Sequence, residues 1–143
     1  MILQKEIKLT TDVQDDLPAF KADPDQFSQA LVNLLENAIK FTDNGGQVTI
    51  RVRLENSNLR FEVADTGIGI PQELQSHVFE RFWRGGQRGQ KGAEYITGTG
   101  LGLSLVKTIV ENHNGEIWLT STPGIGTVFY VDIPATAESE LVV

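Results

Sequence analysis

The stretch Asn33-Leu34-Leu35-Glu36-Asn37-Ala38-Ile39-Lys40-Phe41 carries two patterns at once. At about 100° per residue, Leu34, Leu35, Ala38 and Phe41 fall on one side of a helix with Phe27, Ala30 and Leu31 upstream, an apolar face suited to packing on a sheet. Asn33, Glu36, Asn37 and Lys40 recur at i, i+3, i+4 and i+7 and form a separate polar stripe. The ordinary meaning of such a stripe is a solvated face. Asparagine, however, is a mediocre helix former that competes for backbone hydrogen bonds, and a surface gains nothing from two of them in mid-helix. An amide oxygen suits magnesium, which takes hard oxygen ligands and fills its other positions with water and phosphate. Lys40 adds a cation able to neutralise a phosphate.

Outward from this helix the punctuation is clear. Asp23-Pro24-Asp25-Gln26 predicts its start, with Asp23 as N-cap, Pro24 at the first helical position and Gln26 placed for a capping box. The helix is expected to run to about Phe41, before a turn at Asp43-Asn44-Gly45-Gly46. Upstream, Glu6 to Val13 reads as a strand with alternating Ile7 and Leu9, and Ala19 to Ala22 as a short second strand beyond Pro18. Downstream, Gln47 to Leu54 and Asn58 to Ala64 alternate at period two around Asn56-Ser57-Asn58, a hairpin pattern. Pro71 starts a short helix reaching about His77. Positions 84 to 99 are glycine-rich without apolar periodicity and predict a mobile loop. A helix follows to about Asn112, with His113 expected to favour its negative pole and Asn114 to take the left-handed conformation at the stop. Two strands, Gly115 to Ser121 and Thr127 to Ile133, close the pattern around Pro123-Gly124-Ile125-Gly126.

Two glycine runs flank the loop: Asp65-Thr66-Gly67-Ile68-Gly69-Ile70-Pro71 and Gly98-Thr99-Gly100-Leu101-Gly102-Leu103. Glycine is required where backbone approaches a ligand closely or takes positive φ, and the second run opens into a helix whose N-terminus favours anions. It is neither a Walker loop, since no Gly-Lys-Ser/Thr follows, nor a dinucleotide fingerprint, since the spacing differs and no strand precedes it. Asp65 ends an apolar strand. A carboxylate there needs a donor, either the amides of its own turn or a planar amine such as that of adenine.

Composition narrows the class. The 143 residues, with 40% hydrophobic content, fit a single domain, folded over about 4–134 with 135–143 as a frayed tail. A formal charge of -7 without a basic block offers nothing to nucleic acid or anionic lipid, so a polyanionic ligand must be held locally. Cysteine is absent and there are two histidines, which excludes disulfides and disfavours a thiolate or histidine-rich metal site. No apolar run approaches the length of a membrane helix, and residues 1–6 lack a signal peptide's apolar stretch. A soluble, cytoplasmic domain without membrane contact is expected, whether or not a parent protein is membrane-anchored.

Residues 23 to 133 closely resemble the catalytic, ATP-binding domain of two-component sensor histidine kinases. The stretch from Asn33 to Phe41 is similar to that family's N box, Asp65 to Pro71 to its G1 box, Phe79-Glu80-Arg81-Phe82 to its F box and Gly98 to Ser104 to its G2 box. Gly126-Thr127 with Phe129 is similar to the family's late glycine-threonine strand start. The resemblance implies a Bergerat-type α/β two-layer sandwich: a mixed, mostly antiparallel sheet, helices on one face, and ATP with Mg2+ held between helices and a flexible lid. It assigns Asp65 to the adenine amine, Thr127 to the base by hydroxyl or water, and Gly67, Gly69 and Ile70 to backbone lying beside the nucleotide. Asn37 becomes the magnesium ligand, and Asn33 and Lys40 contact phosphates or their hydration shell. Gly98, Thr99, Gly100, Leu101, Gly102 and Leu103 cradle phosphate at a helix start. Arg84 is the expected lid cation on the γ-phosphate, ahead of Arg88 and Lys91, with Phe79 and Phe82 anchoring the lid.

Under this resemblance Glu36 acts as base while a histidine on a separate dimerisation domain attacks the γ-phosphoryl group, and a response regulator is the downstream partner. Neither His77 nor His113 fits the acceptor, which normally lies in a helical segment before the catalytic domain; none precedes Gln4, so an excised, monomeric catalytic half is expected. Relatives of the fold that hydrolyse ATP or phosphorylate serine use a glutamate one turn before the magnesium asparagine. Asn33 stands there, and an amide cannot take a proton at neutral pH. A regulatory nucleotide-binding module without transfer activity is the remaining alternative.

Overall fold

The computed structural model describes residues 6–80 and 102–135. In chain order the elements are β1 (Lys8–Val13), α1 (Pro24–Lys40), β2 (Gln47–Glu55), β3 (Asn58–Asp65), α2 (Gln72–Gln75), α3 (Gly102–Asn112), β4 (Glu116–Thr122) and β5 (Gly126–Pro134). The sheet runs β1-β2-β3-β5-β4. Its first pair is parallel and the others antiparallel, so the expected mixed, mostly antiparallel sheet is present.

Asp23 and Pro24 start α1 as read, but the capping box is not completed by Gln26, because the Asp23 amide donates to His113 Nε2 instead. The Asp23 side chain accepts from the Asp25 and Gln26 amides at 3.0 and 3.1 Å, satisfying donors that the first helical turn leaves unpaired. Phe27, Ala30, Leu34, Ala38 and Phe41 are buried, and the alternating residues Leu59, Phe61 and Val63 of β3 and Phe129, Val131 and Ile133 of β5 lie beneath the helices. Val106, Ile109 and Val110 of α3 complete the same core. Truncating Leu34, 1% exposed, to alanine removes about 2–5 kcal/mol of stability by the usual cost of a buried cavity. No helix among the described residues is long and apolar enough to cross a membrane.

Two expectations are corrected, and the expected strand β1 has an exposed apolar residue. Residues 19–22 form no strand; Pro18 has no amide to donate to a ladder, and Phe20 instead packs edge-on against Phe27 and Phe61 at 5.0 and 5.6 Å between ring centroids. Leu9 is 55% exposed despite its alternation with Ile7, because β1 is an edge strand and the helix layer sits on β3 and β4. The helix after Pro71 spans only Gln72–Gln75, with Pro71 as its cap and turns over 76–79. The expected loop at 84–99 lies outside the described residues, as does most of the expected tail.

The far face of the sheet is polar. Arg60 forks onto Asp132 at 2.8 and 3.0 Å and lies over Trp118, which stacks on Tyr130 at 5.2 Å. Arg51 pairs with Glu62 at 3.2 Å.

Candidate functional site

Asp65 is the last residue of β3 and faces the helices, opposite Val48 on one neighbouring strand and Thr127 on the other. It is 7% exposed. Its two oxygens have different surroundings. Oδ1 accepts from the Gly67 amide at 2.8 Å and the Thr127 amide at 3.3 Å, so the turn-forming role is real. Oδ2 is buried without a hydrogen-bond partner among the described residues. Burial pushes the carboxyl above its ordinary range, and the Gly67 and Thr127 amides pull it part of the way back. An acceptor left bare in this way is costly, by about 1–3 kcal/mol, and marks where a ligand donor would sit.

The glycine segment after Asp65 is pinned on every side. Thr66 exchanges hydrogen bonds with Gln47, its amide donating to the carbonyl and its hydroxyl accepting from the amide. Ile68 donates to the Phe41 carbonyl at 3.2 Å, and its own carbonyl accepts from Gly124 at 2.7 Å. Gly67 and Gly69 are glycine for reasons internal to the protein. A Cβ on Gly67 would lie 2.3 Å from the Phe41 carbonyl oxygen, and one on Gly69, at φ +73°, would lie 2.3 Å from that of Thr122. Gly102 differs, since a Cβ there would meet nothing within 4 Å. Its missing side chain serves no contact with the described residues.

From α1, Asn33 and Asn37 are half-buried while Glu36 and Lys40 are exposed. The Asn37 amide nitrogen is buried without a partner among the described residues, and a half-turn of the amide would put its oxygen in the same place. Among the described residues no cluster of three histidine, cysteine or acidic side chains could hold a metal. One amide oxygen is a suitable protein contribution for a magnesium ion whose other ligands are phosphates and water. Gly102 and Leu103 open α3, Leu103 buried and Gly102 exposed. Ile70 is fully buried in the core, and Phe79, half-buried, packs edge-on against Phe129 at 6.0 Å. Phe82, Arg84, Arg88, Lys91, Gly98, Thr99, Gly100 and Leu101 lie outside the described residues.

Two participants escaped the sequence reading. Ser121 of β4 receives the Ile70 amide at 2.8 Å and touches the Thr127 hydroxyl at 2.8 Å. Gln75 of α2 donates to the Ile70 and Ser121 carbonyls at 2.9 and 3.3 Å, clamping the glycine segment to β4. Both depend on strand register, which has no local signature.

His113 meets the negative pole of α3, as expected, and has a second role. Its Nδ1 lies 2.7 Å from the Ile109 carbonyl oxygen, but its Nε2 accepts the Asp23 amide at 2.9 Å. The ring therefore donates from Nδ1 to a terminal carbonyl of α3 and accepts on Nε2 from the start of α1, joining the two helix ends. Asn114 takes the left-handed conformation as expected, at φ 60°. His77 is exposed beside Glu80.

Residues 22–137 match the family described as histidine kinase-, DNA gyrase B- and HSP90-like ATPase. The chain belongs to this family. Within it, the chain is similar to the catalytic domain of histidine kinase ThkA, at 31% identity and a TM-score of 0.76, over 92% of this chain and 82% of that one. Full-length ShkA, solved in complex with AMPPNP, matches at 30% identity and a TM-score of 0.76, over 94% of this chain and 27% of that one. The adaptive-response sensory kinase SasA of Crocosphaera subtropica is 42% identical over 135 residues, covering 94% of this chain and 34% of that protein. The kinase domain thus spans about a third of that curated relative. It is an ATP-binding catalytic domain of the sensor histidine kinase type, with the α/β Bergerat-type fold its sheet and helices describe.

Proposed function

We propose that this domain holds ATP against the β3 end of its sheet and presents the γ-phosphoryl group to a histidine on a separate dimerisation domain, from which a response regulator draws it. The observation that carries the reading is the bare Oδ2 of Asp65, a buried acceptor beside Thr127 that fits the exocyclic amine of adenine. Gly67, Gly69 and Ile70 form the rigid floor beneath the base. The Gly102 and Leu103 end of α3, with the preceding Gly98, Thr99, Gly100 and Leu101, receives phosphate at a helix N-terminus. Asn37 would be the protein ligand of magnesium, which when bound supplies charge neutralisation on the phosphates. Asn33 and Lys40 would contact the phosphates or their hydration shell, and Arg84 the γ-phosphate.

Glu36 takes the proton of the attacking imidazole. Its exposure on the outer edge of the stripe supports this, since the acceptor arrives from another domain. Most of the acceleration comes from alignment and charge neutralisation, so Glu36 matters less than Asn37. Neither histidine of the chain is the acceptor in this reading; both ring nitrogens of His113 are engaged, one at the end of α3 and the other at the start of α1. Asn33, whose amide takes no proton, weighs against ATP hydrolysis or serine phosphorylation through that position. Residues 4–134 make up the folded catalytic unit, and the isolated chain is a monomer, to be checked by sedimentation.

The test is calorimetric titration with a non-hydrolysable ATP analogue, with and without magnesium. Binding that magnesium strengthens and that Asp65→Asn abolishes supports the reading. An unmodified chain without measurable affinity overturns it.

A further inference from the structure

We propose that Ser121 is a positioning residue for base selection, fixing the Thr127 hydroxyl so that it faces the nucleotide as an acceptor only; this rests on the reading of Asp65 and Thr127 as the base site. The argument is hydrogen-bond arithmetic. Ser121 Oγ has one hydrogen and two lone pairs. Three neighbours compete for them: the Ile70 amide at 2.8 Å, the Gly126 carbonyl oxygen at 3.1 Å and the Thr127 hydroxyl at 2.8 Å. The Ile70 N–H can only donate and occupies one lone pair. The Gly126 carbonyl can only accept and takes the Ser121 hydrogen. The second lone pair is then filled by the Thr127 hydrogen. Any other assignment sets lone pair against lone pair at hydrogen-bond distance.

With its hydrogen committed to Ser121, Thr127 Oγ1 has only lone pairs to offer elsewhere. Thr127 is 1% exposed and its amide donates to Asp65 Oδ1, which locks the residue beside the carboxylate. The base site therefore offers two kinds of acceptor, the bare Asp65 Oδ2 and the Thr127 hydroxyl oxygen, and no hydroxyl donor between them. A purine with an amine at its 6-position satisfies such a site directly or through water. A 6-oxo purine brings an acceptor against acceptors and leaves buried groups unpaired, which is the arrangement that discriminates most strongly. Asp65 rejects the oxo base by charge. Ser121 supplies the second check, because without it the Thr127 hydroxyl can rotate and donate.

The experiment measures dissociation constants of the whole chain for ADP and for inosine diphosphate, which differ in the group at the purine 6-position. The parent is expected to prefer ADP strongly. In Ser121→Ala the preference should shrink about tenfold, the scale of one hydrogen bond gained by the oxo base. Ser121→Thr, which keeps the hydroxyl, should restore it. A purely structural role for Ser121 would weaken both ligands equally and leave their ratio unchanged, which would overturn the proposal, as would a parent that binds both alike. Asp65→Asn separates the two readings: if it leaves ADP affinity intact, the base site itself is misplaced, whereas loss of ADP affinity with an unaltered Ser121→Ala ratio removes only the Ser121 role.

Discussion

His113 Nε2 accepts the backbone amide of Asp23 at 2.9 Å, so the first residue after α3 closes over the N-cap of α1 across 90 positions of sequence. The same ring holds the Ile109 carbonyl oxygen and meets Phe27 at 5.8 Å. His113→Ala removes both hydrogen bonds and the ring contact, and should lower unfolding stability by about 2 kcal/mol. Urea denaturation measures this directly. A loss below about 0.5 kcal/mol, the range of inert surface changes, would contradict the structural role.

Asp65→Asn should separate stability from ligand binding. The folded protein holds the Asp65 carboxyl above its unfolded range, so the folded state binds the proton more tightly. Stability from this group is then full below the unfolded range and is lost as pH rises through the folded value, leaving a buried charge as a cost at neutral pH. The uncharged amide escapes that cost. At pH 7 the variant should be at least as stable as the parent, with the advantage shrinking on acidification, while nucleotide affinity falls by more than about tenfold. Chemical denaturation at both pH values, paired with calorimetry, tests the two halves; a variant less stable at pH 7 speaks against the sign.

The glycines divide into two groups by what surrounds them. Gly67→Ala drives a methyl group to 2.3 Å from the Phe41 carbonyl oxygen and should destabilise by about 3 kcal/mol. Gly102→Ala meets open space among the described residues at the first position of α3, and should be neutral or slightly stabilising. If phosphate approaches the start of α3, Gly102→Ala nevertheless weakens ATP binding. A thermal melt and a nucleotide titration on each variant give four outcomes, and equal effects of both substitutions on folding would refute the distinction.

On α1, Asn37→Ala should remove the magnesium-dependent part of ATP affinity, while Glu36→Ala should leave affinity within about twofold and slow transfer to a histidine-bearing domain supplied separately. The assignment fails if Asn37→Ala binds normally in magnesium while Glu36→Ala abolishes binding.

What could be read from the chain was what neighbours in sequence encode. Asp23 and Pro24 announce α1, the i, i+3, i+4 spacing separates Leu34 and Ala38 from Asn33 and Asn37, and period-two alternation marks β2 and β3. Asp65 was visible because a carboxylate ending an apolar strand conflicts with local expectation. Hidden features all come from contacts between distant segments. The parallel pairing of β1 with β2, Phe20 replacing a strand with an aromatic contact, and Ser121 meeting Thr127 through the β4–β5 register leave no local trace. The helix-pole contact of His113 was legible, but its acceptance of the Asp23 amide was missed for the same reason.

The stack of Trp118 on Tyr130 lies on the sheet face opposite Asp65 and Thr127. The chain has two tryptophans. With Trp83 replaced by phenylalanine, ultraviolet emission would come from Trp118 alone, an indole quenched or released according to whether β4 and β5 remain zipped. Such a variant turns the far side of the sheet into an optical gauge of folding that is blind to nucleotide, so that binding and unfolding can be followed in one cuvette as separate signals.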